Sequence, residues 1–191
     1  MSFLSRFKLK SLKKKAKYWF DKRERGDSFD VNKEIKTLLE LAKCYEKNRY
    51  SKKVPNANIL ALETLRAAAS LGSAEGQYLF AVKQFENGRF WESLAGTFYD
   101  ADMHRNYAKQ AFDEGHTYLD KAIGQSYPMA KRLKGVAYIH GYGVPVNENQ
   151  GFDLIIASIN DENAWERAPE IIKELGLNNP KFFNSIMSRR K

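Results

Sequence analysis

A chain of 191 residues with 43% apolar content is long enough to bury one core without disulfides or metal, and too apolar for wholesale disorder. The formal charge of +9 suggests nucleic acid until it is located: residues 1–25 hold ten Lys/Arg against Asp21 and Glu24, leaving twenty-two basic against twenty-one acidic residues elsewhere. The basicity belongs to a tail and the body is nearly neutral. Cys44 is the single cysteine, which excludes an internal disulfide and favours a reducing compartment. No apolar stretch of secretory-signal type follows the basic start, and no run approaches the ~18 apolar residues of a membrane span. The expectation is a cytoplasmic protein.

The first element expected is a basic amphipathic helix within residues 1–25. Leu9, Leu12, Ala16, Trp19 and Phe20 recur at helical spacing, with Lys10, Lys13, Lys14, Lys15 and Lys17 on the other faces. Three roles remain open for it. It can be a cap that closes the first repeat of a helical array. It can dock on an anionic membrane surface, where Phe3, Leu4 and Phe7 add apolar bulk beside the polybasic run. It can also meet nucleic acid or an acidic protein, although the absence of any base-reading motif argues against nucleic acid.

Beyond it, a helical stretch of small residues recurs. Ala61-Leu-Glu-Thr64-Leu-Arg-Ala67-Ala68-Ala69 aligns with Gly115, Tyr118, Lys121, Ala122 and Ile123, and again with Gly151, Leu154, Ala157, Ser158 and Ile159. Another helical segment leads into each: Leu41-Ala42-x-x-Tyr45, Leu79-Phe80-Ala81 and Leu133-Lys-Gly135-x-x-Tyr138. Small residues at equivalent positions let two helices approach closely while larger neighbours fill the groove. The spacing from Gly115 to Gly151 is 36 residues, which suits two helices with their turns, and the first interval is longer by 18. The units expected are therefore about 34–73, 74–127 with an insertion at 90–107, 128–163, and a C-terminal cap at 164–191, together forming a repeat domain over 26–191.

Cys44 falls in the first helix of the first unit and reads as a buried structural thiol. In the second unit, the insertion gathers Phe90, Trp91, Phe98 and Tyr99 with Glu92, Asp100 and Asp102. Aromatics with a few charges have the composition of binding hot spots, and a long irregular insertion in a regular array is where function concentrates. Asp100-Ala-Asp102-Met-His104 has the ligand types of a divalent-metal site. The simpler reading is a helix beginning with favourable negative charge, and no metal is expected. His116 and Asp120 stand i, i+4 and can pair.

The third unit carries Ala130-x-x-Leu133-x-Gly135-x-x-Tyr138-x-x-Gly141-Tyr142-Gly143-Val144-Pro145-x-Asn147. Gly141 and Gly143 can adopt positive φ and stop a helix, Pro145 stiffens the connection, and Asn147 can cap the next helix. A phosphate-binding loop is disfavoured, because no strand precedes the glycines and no Lys-Ser/Thr follows them. This stretch, with Ala67-Ala68-Ala69-x-x-Gly72-x-Ala74 of the first unit, resembles the SEL-like (Sel-one-like) repeat, a relative of the tetratricopeptide repeat. The resemblance covers about residues 34–164 and is weakest in the second unit. Asn147 stands where the family's Asp is usual, and Gly151 where Ala is. At the C-terminus, Glu170–Leu175 should form a short helix stopped by Gly176, and Asn179-Pro180 should start another through Lys181–Met187.

The fold expected is all-α, with antiparallel helical hairpins; the resemblance implies a right-handed α-solenoid. It also implies a non-enzymatic protein-binding module, a bacterial adaptor without cofactor, binding through its concave face and the 90–107 insertion; a small solenoid with such an insertion also suits a toxin-neutralising immunity protein. Tyr78, Phe85 and Tyr138 on the first helices, with Tyr142 and the insertion residues Phe90, Trp91, Phe98, Tyr99, Asp100 and Asp102, are the expected partner contacts. The competing expectation is an adaptor docked on an anionic membrane or nucleic acid through Lys10, Lys13, Lys14, Lys15 and Lys17.

Overall fold

The structure is a computed structural model that describes residues 3–97 and 100–190, with side chains described from Arg6 onward. The protein is all-α. Among the described residues there are nine α-helices and no strand: α1 (Phe3–Glu24), α2 (Val31–Glu46), α3 (Ala57–Ser70), α4 (Ala74–Ala95), α5 (Ala101–Gly124), α6 (Pro128–His140), α7 (Glu148–Asp161), α8 (Ala168–Glu174) and α9 (Pro180–Met187), with a 3-10 turn at Trp165–Arg167. The chain divides into two compact units, Met1–Phe80 and Ala81–Lys191, the division falling inside α4.

In the first unit, α1 packs on α2 and α2 on α3. The inner stripe of α1 presents Leu9 and Leu12, which are buried against Leu41, Cys44, Tyr45, Val54, Ala57 and Ala61, with Ala16 at the edge. Cys44 is thus a core thiol. Arg23, at the end of the same helix, reaches the buried carboxylate of Glu34 at 3.4 Å. Asp30 caps α2 by accepting from the backbone N–H groups of Asn32 and Lys33 at 3.0 and 3.2 Å. The Lys33 N–H bond holds its carboxyl below the usual aspartate value.

In the second unit, α4 and α5 meet through Phe85 and Phe112, whose ring centroids are 5.6 Å apart. The approach is possible because Gly88 faces the Phe112 ring and Gly115 faces the Phe85 ring; a Cβ at either glycine would lie 2.6–2.8 Å from ring carbons. α6 and α7 come together differently. A Cβ on Gly135 would stand 2.7 Å from the Gly151 carbonyl oxygen, and one on Gly151 would stand 2.6 Å from the Gly135 carbonyl oxygen. The core then continues through Ile139, Phe152, Ile155 and Ile159 to Ile171, Ile172, Leu177 and Ile186 of the C-terminal helices. Arg132 is buried and donates to Ser158 Oγ at 3.1 Å and to the Glu162 carboxylate.

The joint between α6 and α7 follows its sequence. Gly141 and Gly143 have φ of +74° and +69°, and Asn147 Oδ1 accepts from Gln150 N at 3.1 Å. Gly143 is also a packing requirement, since a Cβ there would lie 2.3 Å from Phe112 Cβ. Two of the five aligned columns are buried throughout: Ala68, Ala122 and Ser158 are fully buried, and so is Ala61, with Gly115 and Gly151 also inside; the Ala67, Lys121, Ala157 column is not. The helix stops at Gly176 (φ +72°) and the start at Asn179-Pro180 occur where the sequence places them.

The segment expected to be an irregular insertion is largely helix. α4 continues through Ala95 and α5 begins at Ala101, so the additional residues lengthen a helix pair. α4 and α5 have 22 and 24 residues against 13 and 14 in α6 and α7. The physical reason is continuity of packing: Trp91 on α4 stacks on His104 of α5 at 5.5 Å and lies 5.0 Å from Tyr107, so the two helices keep burying surface beyond Phe85 and Phe112.

Candidate protein-binding surface

The distal end of the α4–α5 pair is built around Trp91. Its indole packs against His104 and Tyr107 of α5 and against Phe90, 5.4 Å away on its own helix. His104 is buried beneath it. Phe90 is 56% exposed, and Met103 and Tyr107 are each 42% exposed. A rigid aromatic platform therefore presents one phenyl, one phenol and one thioether to solvent. Side chains already ordered by stacking lose little rotamer freedom when a partner covers them. Sequence reasoning missed Tyr107 and Met103, although their i, i+4 spacing on α5 was available as a signal. Partial desolvation raises the Glu92 carboxyl above the usual glutamate value at this same end.

Asp100 and Asp102 lie at the start of α5. Asp100 is exposed and makes no side-chain cap bond. The Asp102 side chain is 94% exposed and pairs with Arg105 at 2.6 Å. The carboxylates point to water while the His104 ring packs inward on Trp91, so Asp100, Asp102 and His104 do not converge on a common point. Among the described residues no group of three His, Cys, Asp or Glu is arranged to hold a metal. Phe98 and Tyr99 lie outside the described residues.

A second aromatic group follows the α6–α7 joint. The half-buried Tyr142 ring lies parallel to Phe112 (6.2 Å, 4°), with the Arg89 guanidinium 5.2 Å from its centre and His140 5.4 Å away. His140 in turn meets Phe182 edge-on at 6.2 Å. Tyr138 is half-buried on α6. Phe85 is a correction to the expected contact set: it is buried, filling the space left by Gly115 and touching His116 at 5.0 Å, and belongs to the core. Tyr78 is half-buried within the first unit. The His116–Asp120 pair does not form. His116 Nε2 lies 2.9 Å from the Tyr142 carbonyl oxygen, and Asp120 accepts from Lys134.

In the first unit, Lys10, Lys13, Lys14, Lys15 and Lys17 are all exposed. Lys17 pairs with Asp21 at 3.5 Å, and Lys13 lies 5.6 Å from the centre of the Tyr45 ring. No helix among the described residues is long and apolar enough to cross a membrane.

No protein-family model, no curated protein and no solved structure matches this chain.

Proposed function

We propose that the protein is a non-enzymatic binding module that captures another protein on the distal end of the α4–α5 pair. The observation that carries the reading is the Trp91 platform, which holds Phe90 and Tyr107 partly in solvent, with Met103 also exposed on α5, on helices longer than α6 and α7. Large side chains held rigid and exposed are the groups whose burial contributes most at an interface. Asp100 and Asp102 at the platform's margin favour a partner with a basic surface and would speed encounter at low salt. Tyr142, flanked by Arg89 and His140, is the next group along the same unit available to widen the contact.

On this reading the helix pairs are successive SEL-like repeat units of a right-handed solenoid. The fully buried column Ala68, Ala122, Ser158 and the Gly141–Asn147 joint support that assignment. A cytoplasmic bacterial adaptor, or an immunity protein that covers a toxin, is the biological role such a module fits.

The test is capture from the native cell followed by measurement with the purified partner. Replacing Phe90 and Tyr107 together by Ser is expected to weaken binding at least about tenfold, since two anchors each contribute more than ~1 kcal/mol. The far-ultraviolet circular dichroism should stay unchanged. A partner that binds the double variant with undiminished affinity would remove this surface from consideration.

A further inference from the structure

One stripe of α1 is wholly basic. Arg6, Lys10, Lys13 and Lys17 follow one another at i, i+4, i+7 and i+11, so they line a single face of the helix. This stripe runs beside the one that delivers Leu9 and Leu12 to the core. Where it meets the turn between α2 and α3, Arg6, Lys10 and Lys13 join Lys53 around a cavity of about 230 Å3, whose remaining lining is Leu9 and Val54. Four cations thus surround an apolar floor, and no carboxylate lines the cavity. Among the described residues none of the four has an acidic partner within ion-pair distance, whereas Lys17, one turn further on, is paired with Asp21. The four side chains are exposed, and their mutual repulsion is relieved by an anion bound among them.

We propose that Arg6, Lys10, Lys13 and Lys53 form a pocket for the phosphate of an anionic phospholipid, with Phe7 entering the bilayer beside it. The inference is independent of partner binding by the second unit. Three features favour lipid over nucleic acid. The cavity is a local open depression of about 230 Å3 over Leu9 and Val54, the size of one head group, whereas a nucleic-acid strand needs a continuous track of phosphate contacts. Its floor is apolar and suits the glycerol and first methylenes below a phosphate. Phe7, the neighbour of Arg6, is 70% exposed, and an exposed phenyl beside a basic stripe is the arrangement by which surface helices seat themselves at the head-group boundary. The stripe was legible in the sequence; Lys53 was not, because it is forty residues from Lys13 and only the fold brings it there.

The experiment uses the full chain and sedimentation with vesicles of phosphatidylcholine, with and without phosphatidylglycerol. Binding is expected only to the phosphatidylglycerol vesicles. Replacing Arg6, Lys10, Lys13 and Lys53 by Gln should lower partitioning at least tenfold more than replacing Lys8, Lys15, Lys36 and Lys47, which removes the same charge from exposed positions outside the pocket; each basic group near an anionic surface changes partitioning roughly fivefold. Lys53→Glu alone, outside α1, should also weaken binding several-fold without changing helicity, as should Phe7→Ala. Equal losses from the two fourfold variants would replace the pocket by diffuse charge and overturn the proposal. So would tighter, pocket-dependent binding to a single-stranded RNA than to the vesicles, or no binding to phosphatidylglycerol vesicles.

Discussion

In the α6–α7 pair, Gly135 and Gly151 bring two backbones together, so each glycine hydrogen occupies space against the other helix's carbonyl oxygen. In the α4–α5 pair the glycines serve side chains: Gly115 receives the Phe85 ring and Gly88 receives Phe112. Gly115 and Gly151 align in one column when the two stretches are superposed by sequence, yet one faces an aromatic ring and the other faces backbone and Ile139. A ring in the seam fills space that backbone contact fills in the other pair. The seam can then be prolonged by further rings, as Trp91, His104 and Tyr107 do. The longer pair reaches solvent with aromatic side chains at its end, and the shorter pair closes into the core of Ile139, Phe152, Ile155 and Ile159.

The contrast predicts different responses to one substitution. Helix propensity alone says that Gly→Ala in a helix stabilises by about 1 kcal/mol. At Gly151 the new methyl would stand 2.6 Å from a backbone oxygen and 2.5 Å from Ile139 Cγ1. Neither helix can yield without separating, so Gly151→Ala should cost about 3 kcal/mol, the upper end of the range for overpacking. Urea unfolding followed by circular dichroism measures it, and a neutral or stabilising result would show that the two helices are free to move apart. Gly115→Ala meets the edge of the Phe85 ring at 2.8 Å, a side chain with some room to tilt, and should cost about 1–2 kcal/mol. Adding Phe85→Leu should return part of that loss. At Gly151 trimming Ile139 relieves only one of the two close contacts, because the Gly135 backbone oxygen cannot be trimmed, so rescue there should be smaller.

The helix starts sharpen the comparison. α7 is capped by the Asn147 side chain, whereas Asp100 at the start of α5 makes no such bond. Asn147→Ala should therefore cost about 1 kcal/mol. Asp100→Ala should stay within about 0.5 kcal/mol of the parent, as surface changes away from special contacts do. If Asp100 belongs to the binding surface, its substitution separates binding from stability: partner association slows at low salt while the unfolding curve stays in place.

What the sequence made legible was local. Gly141, Gly143 and Asn147 announce a helix joint because positive φ and an N-cap each demand particular residue types within a few positions. The small-residue columns follow from the same logic at a spacing of one repeat. Pairings across thirty residues were not legible. Nothing near Phe85 says whether it faces water or Gly115, and an aromatic residue on a helix suits either. The i, i+4 geometry of His116 and Asp120 permits a pair, but the Tyr142 carbonyl and Lys134 arrive from other elements and take both partners. The spacing of the small-residue columns shows that 90–107 is extra, but not that it is helical; in the structure Trp91, His104 and Tyr107 extend the seam.

The smallest effect belongs to Glu92, and its sign distinguishes a partly buried hairpin end from a frayed one. Desolvation raises its carboxyl above the usual glutamate value, so the folded protein keeps this proton to higher pH than the unfolded chain does. Stability therefore falls as pH rises from the ordinary glutamate range through the raised value, and the penalty is constant above it. Glu92→Gln removes the penalty. The variant should match the parent in acid and become more stable towards neutral pH, by no more than about 0.5 kcal/mol because solvent screens a group this exposed. A difference between the two proteins that is flat from acid to neutral pH would mean that the end of the α4–α5 pair does not hold Glu92 away from water.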